Sequence, residues 1–308
     1  RAIAEMVIDK GSDVVIFDNL TRNSMQYFEN SEVGDRAKVV RGDIRDKSLL
    51  ANVVNEFDPD YVFHLAAIAG VSKYFSNPVD VLDVNISGTF NLLETLKNRS
   101  SVKAVFDFST SEIYGSNCYL AEEDGQVKME NLFEKRWTYA TSKIASEKIG
   151  LAYYWQYNLP FIGVRPFNVY GPGQVGEGVI SYMLNNLIEG REVSITGNGT
   201  QARTFCFIDD FLSGLSTLIE NLTSSVGSAF NIGTNTEIVT VNQLAELIEE
   251  VSEVVMRKRY VEHLGEDVRV RSPSISKIEK MGFTPRVSLR DGLRQTLEWY
   301  QVNRVELD

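Results

Sequence analysis

A tyrosine and a lysine, Tyr139 and Lys143, are separated by about one helical turn in a stretch that predicts a helix over 139–157. Residues at this spacing project from the same face of a helix. An unperturbed tyrosine has a pKa of about 10, and a fixed positive charge beside it lowers that pKa towards neutral pH. The spacing therefore predicts that Tyr139 is a general base able to take the proton of an alcohol.

A second group of polar residues lies upstream of this helix: Thr110, Ser111 and Glu112. Thr110 can hydrogen-bond the substrate oxygen that the tyrosine deprotonates, Ser111 can relay a proton or position the substrate, and Glu112 can move a second proton. Together with Tyr139 and Lys143 these groups could oxidise a carbinol and then transfer a proton. The alternatives are a tyrosine–lysine pair on a solvated helix face and a surface carboxylate that caps a loop.

The composition excludes several classes of function. The chain has 308 residues, 43% hydrophobic and 24% charged, which is typical of globular proteins. Its net charge of −11 argues against nucleic acid or an anionic membrane as the main partner. Cys118 and Cys206 have no metal-type or redox spacing, and His64 lies in an apolar run, so no metal site is expected. No apolar run reaches the roughly 18 residues of a membrane span, and we expect a cytoplasmic protein.

Short apolar runs alternate with helical periodicity over 1–163. This alternation predicts an α/β fold, a Rossmann-type doubly wound parallel sheet whose strands are apolar throughout because helices cover both faces. The predicted strands are 13–17, 37–41, 61–65, 104–108 and 161–164, and the predicted helices are 3–10, 84–96 and 139–157.

A smaller C-terminal α/β domain is predicted to follow and to bind substrate. Its elements are helices 180–187, 241–255 and 288–300 and strand 192–195, whereas short elements at 205–207 and 229–231 return to the first domain. Thr240 and Gln243 have the spacing of a capping box. The predicted first domain is 1–163 and 203–232, and the second is 164–202 and 233–308.

Further motifs follow the predicted strands in order along the chain. They are Asp18-Asn19, Gly42-Asp43-Ile44, His64-Leu65-Ala66-Ala67, Asn85-x-x-Gly88-Thr89, Arg165-Pro166-Phe167-Asn168, Gln201-Ala202-Arg203 and Asp267-Val268-Arg269-Val270-Arg271. With the Thr-Ser-Glu and Tyr-x-x-x-Lys groups, they resemble the extended short-chain dehydrogenase/reductases of the nucleotide-sugar epimerase and dehydratase family. The resemblance covers nearly the whole chain.

The resemblance implies that the first domain binds NAD. Asp18 would hold the adenosine ribose hydroxyls, and its carboxylate would repel the 2′-phosphate of NADP. The alternative for Asp18 is an ordinary turn after a strand. The other implied NAD contacts are Asn19, Asp43, Ile44, Leu65, Ala66, Ala67, Asn85, Tyr139 and Lys143.

The resemblance also implies a nucleotide-diphospho-sugar as substrate and a second copy of the chain as partner. Asn168 and Arg203 would bind the diphosphate, with Arg269 or Arg271 assisting, because guanidinium groups match phosphate oxygens. Surface arginines in solvent-exposed ion pairs are the alternative. The family commonly forms homodimers through the catalytic helix and the helix near 85–96.

Proteins with this kind of sheet begin with a strand and a Gly-rich turn that holds the pyrophosphate at a helix N-terminus. The present sequence opens at Arg1, inside what reads as the first helix, so this first strand and turn are missing from it. Without them, two strand edges would be unpaired within an apolar core. We expect roughly 10 to 20 further residues before Arg1 in the native chain, which mass spectrometry of the native protein can check.

The implied reaction is transient oxidation at C4 of the hexosyl group, with Tyr139 taking the hydroxyl proton. A 4-ketone acidifies the C5 hydrogen, so Glu112 could act at C5 as in 4,6-dehydratases and UDP-glucuronate decarboxylases. The segments 136–139 and 271–275 resemble a decarboxylase in which the matching arginine lies beside the sugar carboxylate, although Gly173 departs from that pattern. The dehydratase or decarboxylase is favoured, a 4-epimerase is the alternative, and a catalytically idle nucleotide-binding scaffold is a remote one.

Overall fold

The computed structural model describes residues 1–22, 36–263 and 268–303, which form parts of two compact units. The first unit contains Arg1–Ile113, Asn131–Arg165 and Leu218–Phe230. The second contains Tyr114–Glu130, Pro166–Thr217 and Asn231–Asp308. Residues 114–130 and 203–217 therefore lie in the second unit, whereas the sequence pattern assigns them to the first domain. Which unit binds which ligand stays a prediction.

The elements of the first unit alternate between strands and helices, and labels run in chain order. Its strands are β1 (Val14–Asp18), β2 (Ala37–Arg41), β3 (Tyr61–His64), β4 (Ala104–Phe108), β6 (Phe161–Pro166) and β11 (Ser228–Ile232). Its helices are α1 (Ala2–Asp9), α2 (Lys47–Phe57), α3 (Val71–Ser76), α4 (Pro78–Leu82), α5 (Gly88–Leu96), α6 (Thr138–Tyr157) and α9 (Leu222–Ser225). A π-helical turn, Asp83–Ser87, precedes α5 within the predicted helix 84–96.

The strands of this unit form parallel sheets. β1 pairs with β2, and a four-stranded sheet has the order β11-β6-β4-β3, in which the pairs β3–β4 and β4–β6 are parallel. All five residues of β4 are buried, as expected for a central strand with helices on both faces. The predicted Rossmann-type α/β class is confirmed. The expectation that every strand is buried was wrong for β2, where three of five residues are exposed.

Helix α6 carries Tyr139 and Lys143 and packs closely on β6. Gly150 faces the ring of Phe161, and a Cβ atom at this glycine would lie 1.9 Å from the ring carbon Cε2. The helix ends at Tyr157, and the next residue, Asn158, has a left-handed conformation (φ 55°) and donates its N–H to the Tyr154 carbonyl. Because Gly150 has no side chain, α6 lies close to β6, and this distance sets the positions of Tyr139 and Lys143 relative to the sheet.

The second unit is a smaller α/β assembly. Its strands are β5 (Asn117–Ala121), β7 (Val169–Tyr170), β8 (Val193–Thr196), β9 (Ala202–Arg203), β10 (Cys206–Phe207), β12 (Val239–Thr240), β13 (Lys258–Val261) and β14 (Val270–Pro273). Its helices are α7 (Val179–Ile188), α8 (Ile208–Glu220), α10 (Val241–Ser252), α11 (Ser276–Glu279) and α12 (Leu289–Asn303).

Three sheets organise these elements, with the orders β12-β9-β14-β5, β13-β8 and β10-β7. The helices α7, α10 and α12 pack against β8 and β10 through one apolar cluster that includes Leu184, Leu244 and Leu293. The predicted capping box is present, since Thr240 accepts the Gln243 N–H and the Gln243 side chain accepts the Thr240 N–H.

Candidate active site

Thr110, Ser111 and Glu112 lie two to four residues after the end of β4, and Tyr139 lies in the first turn of α6. The carboxyl ends of parallel strands meet at one edge of a sheet, which is where sites form in such folds. The Thr110 side chain acts on the Tyr139 phenol in the direction that lowers its pKa, so these two groups are neighbours. Thr110 Oγ1 also accepts the Glu112 N–H at 3.2 Å, which orients the turn that carries the carboxylate. The two sequence groups predicted to act together thus lie in one site of the first unit.

The pKa of Tyr139 is raised, which is opposite to the direction that the sequence predicted. Burial is the main cause, and the negative charge of Glu112 adds to it. The charge of Arg22 and the Thr110 side chain act in the lowering direction without overcoming burial. The Tyr-x-x-x-Lys spacing predicts the effect of the lysine charge on the phenol pKa. It does not predict the larger effect of the low-dielectric surroundings of a half-buried phenol.

Lys143 is among the most deeply buried side chains of the chain, with 1% of its surface exposed. Its Nζ donates to the Phe108 carbonyl oxygen at 2.7 Å, at the end of β4. Burial lowers the pKa of this lysine, while Asp107 and Glu147 act in the opposite direction. The ammonium group is therefore held against the carboxyl end of the central strand.

Glu112 and Arg136 form a buried bidentate ion pair. The distances are 2.7 Å from Arg136 Nη1 to Glu112 Oε2 and 3.0 Å from Nη2 to Oε1. Both side chains are about nine-tenths buried, at 11% and 8% exposed. Such fork-to-fork pairs fix both partners in one plane. Their separation of 24 residues gives no sequence signal that they pair.

Tyr74 in α3 is a member of the site that the sequence analysis missed. Its ring stacks on Tyr139 with centroids 5.3 Å apart and an interplanar angle of 4°. The Arg136 guanidinium carbon lies 5.7 Å from the centroid of the same ring, and the Tyr74 hydroxyl accepts the Gly70 N–H at 3.0 Å. Tyr74 is 3% exposed, so packing holds its ring in place against the face of the Tyr139 ring. The sequence around Tyr74 carries no signal for this contact, because the contact joins segments that are distant along the chain.

Hydrogen bonds of Asn85 and Ser142 connect the segment that follows β3 to helix α6. Asn85 lies in the π-helical turn, accepts the Ile68 N–H at 2.8 Å and donates to Ser142 Oγ at 2.9 Å. Ser142 Oγ donates in turn to the Tyr139 carbonyl oxygen at 2.7 Å. These bonds tie the start of α6 to the sheet edge.

Seven of the residues expected to contact NAD lie at or just after the carboxyl ends of β1, β2 and β3, whereas Asn85 lies in the π-helical turn and Tyr139 and Lys143 lie on α6. Asp18 is half-buried, and its Oδ1 accepts the Leu20 N–H at 2.6 Å. Asn19 Nδ2 lies 3.4 Å from Asp43 Oδ2, so the ends of β1 and β2 are adjacent. Arg45 forks onto both Asp43 oxygens at 2.9 Å and holds the pKa of that carboxyl at about 2.

The remaining expected NAD contacts differ in exposure. Ile44 is buried, Ala66 and Ala67 are half-buried, and Leu65 has half of its surface exposed. These exposures are compatible with a surface that a nucleotide covers.

The residues expected to bind the substrate lie in the second unit. Arg203 in β9 and Arg271 in β14 are partners in the parallel register, and parallel partners carry their side chains on the same face of a sheet. Asn168 has a positive φ of 41° and its Nδ2 donates to the Thr204 carbonyl at 2.7 Å, whereas Arg269 is exposed. Asp267 lies outside the described residues. Two arginines at one register position concentrate positive charge in an acidic chain, which suits an anion.

His64 is a satisfied core residue, as expected. Its Nε2 lies 3.0 Å from Thr89 Oγ1, and burial lowers its pKa to about 3. Within 1–22, 36–263 and 268–303, no group of three or more histidine, cysteine, aspartate or glutamate residues could hold a metal ion. No helix in these ranges is long and apolar enough to span a bilayer.

The chain is similar in sequence and in structure to known proteins. The family model described as NAD dependent epimerase/dehydratase matches residues 1–233. UDP-N-acetyl-alpha-D-glucosaminuronate decarboxylase from Bacillus cytotoxicus is 30% identical over 97% of this chain and 93% of its own length. dTDP-glucose 4,6-dehydratase from Haemophilus influenzae is 31% identical over 98% and 94%. The structure of UDP-glucuronic acid 4-epimerase from Bacillus cereus, with UDP-glucuronic acid and NAD, is 25% identical, with a TM-score of 0.86 over 98% of this chain and 95% of that one.

Proposed function

Because the chain belongs to the NAD-dependent epimerase/dehydratase family, we propose that it modifies a nucleotide-diphospho-sugar through a transient 4-keto intermediate. It is an enzyme, and its cofactor is NAD. The observation that carries the proposal is that Thr110 and Tyr139 are neighbours near the carboxyl end of β4, with Lys143 one turn further along α6 and bonded to the Phe108 carbonyl. A scaffold without catalysis has no need of these groups in one place.

The residues that would hold NAD fit a dinucleotide. Asp18 and Asp43 lie at the ends of adjacent parallel strands, and a carboxylate at the end of β1 suits ribose hydroxyls and disfavours a 2′-phosphate. When bound, NAD supplies the acceptor for the hydride that leaves C4. Ala66, Ala67 and Asn85 would line the cofactor, and Lys143 would donate to the nicotinamide ribose.

Tyr139 would take the proton of the C4 hydroxyl, and Thr110 would hydrogen-bond the same oxygen. A phenol whose pKa is raised by burial stays protonated at neutral pH, so it cannot accept a proton until positive charge offsets that burial. Lys143 brings one positive charge to the site, and Arg22 already acts on the phenol in the same direction. The geometry therefore supports a base that becomes effective only when the complete site is assembled.

Glu112 would act at C5 once C4 is a ketone. Loss of the C6 hydroxyl then gives a 4,6-dehydratase, and loss of a C6 carboxylate as carbon dioxide gives a decarboxylase. Arg136 supports a sugar that carries a carboxylate, because its guanidinium lies beside Glu112 and could pair with a second anion. Ser111, which is 3% exposed, would position the substrate or relay a proton.

A second candidate is a nucleotide-sugar 4-epimerase. Both oxygens of Glu112 are engaged by Arg136, and a carboxylate held in this way is a poor base for carbon. Thr110, Tyr139 and Lys143 suffice for oxidation and re-reduction at C4 if the keto sugar can turn between the two steps.

Arg203 and Arg271 would bind the diphosphate of the substrate, with Asn168 and Arg269 assisting. A homodimer would form through α5 and α6. The exposed aromatic residues on these helices, Phe90 (46% exposed) and Trp155 (60%), support such a surface. Light scattering of the native protein and of Trp155→Lys tests this pairing, and an unchanged mass would count against it.

The test of the function is incubation of the full-length protein with NAD and a panel of UDP-, dTDP- and GDP-hexoses and UDP-glucuronate, followed by mass spectrometry. Loss of water identifies a dehydratase, loss of carbon dioxide a decarboxylase, and an unchanged mass with a changed sugar configuration an epimerase. Glu112→Gln should abolish the first two activities and spare the third. No conversion of any nucleotide sugar would overturn the proposal.

A further inference from the structure

Asp107 is a carboxylate inside the central strand of the first unit. It is 1% exposed, and its neighbours in β4 are the buried apolar residues Phe106 and Phe108. The sequence pattern gave 104–108 as an apolar strand and assigned this residue no role. An ionisable group buried in this way is costly unless it meets an opposite charge or hydrogen-bond donors. Its surroundings therefore indicate what it does.

The groups that face Asp107 come from three neighbouring elements. Lys143 and Glu147 of α6 interact with it electrostatically, with opposite signs. The Ser146 hydroxyl lies 3.4 Å from both carboxylate oxygens, and His64 Nε2 of β3 lies 4.0 Å from Oδ1. On β6, Arg165 faces Glu147. The cluster thus contains one lysine, one arginine, one histidine and two carboxylates.

The charges of two members of this cluster, Glu147 and Arg165, neutralise each other. Glu147 and Arg165 form their own bidentate pair, in which Arg165 Nε donates to Glu147 Oε2 at 3.1 Å and its Nη2 contacts Oε1. His64 brings no positive charge, because burial and the nearby lysine keep its pKa at about 3. The remaining opposite charges are the Lys143 ammonium and the Asp107 carboxylate.

We propose that Asp107 is a positioning residue of the active site, whose buried carboxylate keeps Lys143 in its ammonium form against the carboxyl end of β4. The lysine is anchored to the carbonyl of Phe108, the residue that follows Asp107 in the same strand. Asp107 has a pKa of about 6, raised mainly by burial, so it is negatively charged at neutral pH, where the enzyme needs a charged lysine. The inference rests on the proposed function only in taking Lys143 as catalytic.

The charge of Asp107 has a predictable effect on two functional groups. A negative charge favours the protonated form of a neighbouring amine and of a neighbouring phenol, and Asp107 raises the pKa of both Lys143 and Tyr139. Removing the charge lowers both pKa values, so the acid and alkaline limits of activity should both move to lower pH. A residue that only fills space would lower the rate without moving either limit.

The primary test needs no turnover. In the full-length protein with NAD, ¹³Cε-labelled lysine is titrated by NMR, and the Lys143 signal is assigned from its loss in Lys143→Arg. Asp107→Asn is expected to lower the Lys143 pKa by roughly one unit or more. Asp107→Glu should restore it. The control Asp60→Asn removes one charge from the Asp60–Lys103 pair, whose side chains are 61% and 57% exposed. This control should leave the Lys143 pKa unchanged.

An unchanged Lys143 pKa in a folded Asp107→Asn protein would overturn the proposal. If neither Asp107→Asn nor Asp107→Ser folds, the wild-type titration decides instead: a lysine that loses its proton below about pH 7 contradicts the role, and one that stays charged above it supports the role. A second readout is the pH profile of kcat with UDP-glucuronate as probe. Failure of that sugar to react would count against the proposed function, and the NMR result would still test Asp107.

Discussion

Replacing Arg136 by methionine removes the cation that contacts both oxygens of Glu112. In the wild-type protein the two contacts are 2.7 and 3.0 Å long, and the two side chains are 8% and 11% exposed. Methionine preserves much of the arginine volume while leaving the carboxylate buried and uncompensated. Removing one partner of a buried ion pair typically destabilises a protein by about 3 to 5 kcal/mol, and we expect a loss in that range at neutral pH.

A double-mutant cycle isolates the pair from the other contacts of Arg136. The arginine also lies over the rings of Tyr74 and Trp137, so the single variant loses more than the ion pair. Combining Arg136→Met with Glu112→Gln removes both charges, and the stability of the double variant should exceed the additive expectation. We expect a coupling energy of about 2 to 3 kcal/mol.

The assay is urea unfolding followed by tryptophan fluorescence in a Trp299→Phe background. Trp299 is the one of the three tryptophans that lies in the second unit, so the remaining fluorescence reports on the first. The control cycle uses Lys38→Met and Glu56→Gln. This pair is joined at 2.9 Å but is 56% and 60% exposed, and it should show coupling below about 1 kcal/mol. Equal coupling in the two cycles would refute the view that Glu112 is held by a buried ion pair.

The free energy of unfolding of Asp107→Asn should rise relative to that of the wild-type protein as the pH increases from about 4 to 6, by at most about 3 kcal/mol. Urea unfolding at several pH values measures this difference. The variant gains because the Asp107 carboxyl has a raised pKa of about 6 in the folded state, which therefore loses stability as this group ionises, whereas asparagine does not ionise. A stability difference that stays constant with pH would contradict this reasoning. Tyr74→Leu should lower kcat by up to about tenfold through loss of stacking on Tyr139, whereas Tyr74→Phe should retain most of it in the same steady-state assay. Gly150→Ala should destabilise the first unit by about 1 to 3 kcal/mol, because its methyl group would overlap the Phe161 ring, and unchanged unfolding would contradict that packing.

Much of the fold could be predicted from local patterns. Helix α6 and strands β3 and β4 lie within about one residue of their predicted ends, because a long periodic segment and short apolar runs between turns are strong signals. The π-helical turn Asp83–Ser87 was not predicted, since its residues fit an ordinary helix and it differs by a backbone bond from the Gly88 N–H to the Asp83 carbonyl, five residues back.

The candidate site was predicted in part for the same reason. Thr110, Tyr139 and Lys143 have types and spacings that carry meaning on their own. The pairing of Glu112 with Arg136 and the stacking of Tyr74 depend on contacts between distant segments, which spacing does not encode. The direction of the Tyr139 pKa was wrong because burial, which outweighs the nearby positive charges, is a property of the packed structure.

The most direct test of the central claim compares Tyr139→Phe and Glu112→Gln in stopped-flow experiments with NAD and the nucleotide sugar that reacts. Absorbance of the reduced cofactor reports oxidation at C4, and deuterium from solvent reports exchange at C5. We predict that Glu112→Gln accumulates reduced cofactor without exchange at C5, while Tyr139→Phe slows the appearance of reduced cofactor by orders of magnitude. Normal formation of reduced cofactor in Tyr139→Phe would contradict the assignment of the base.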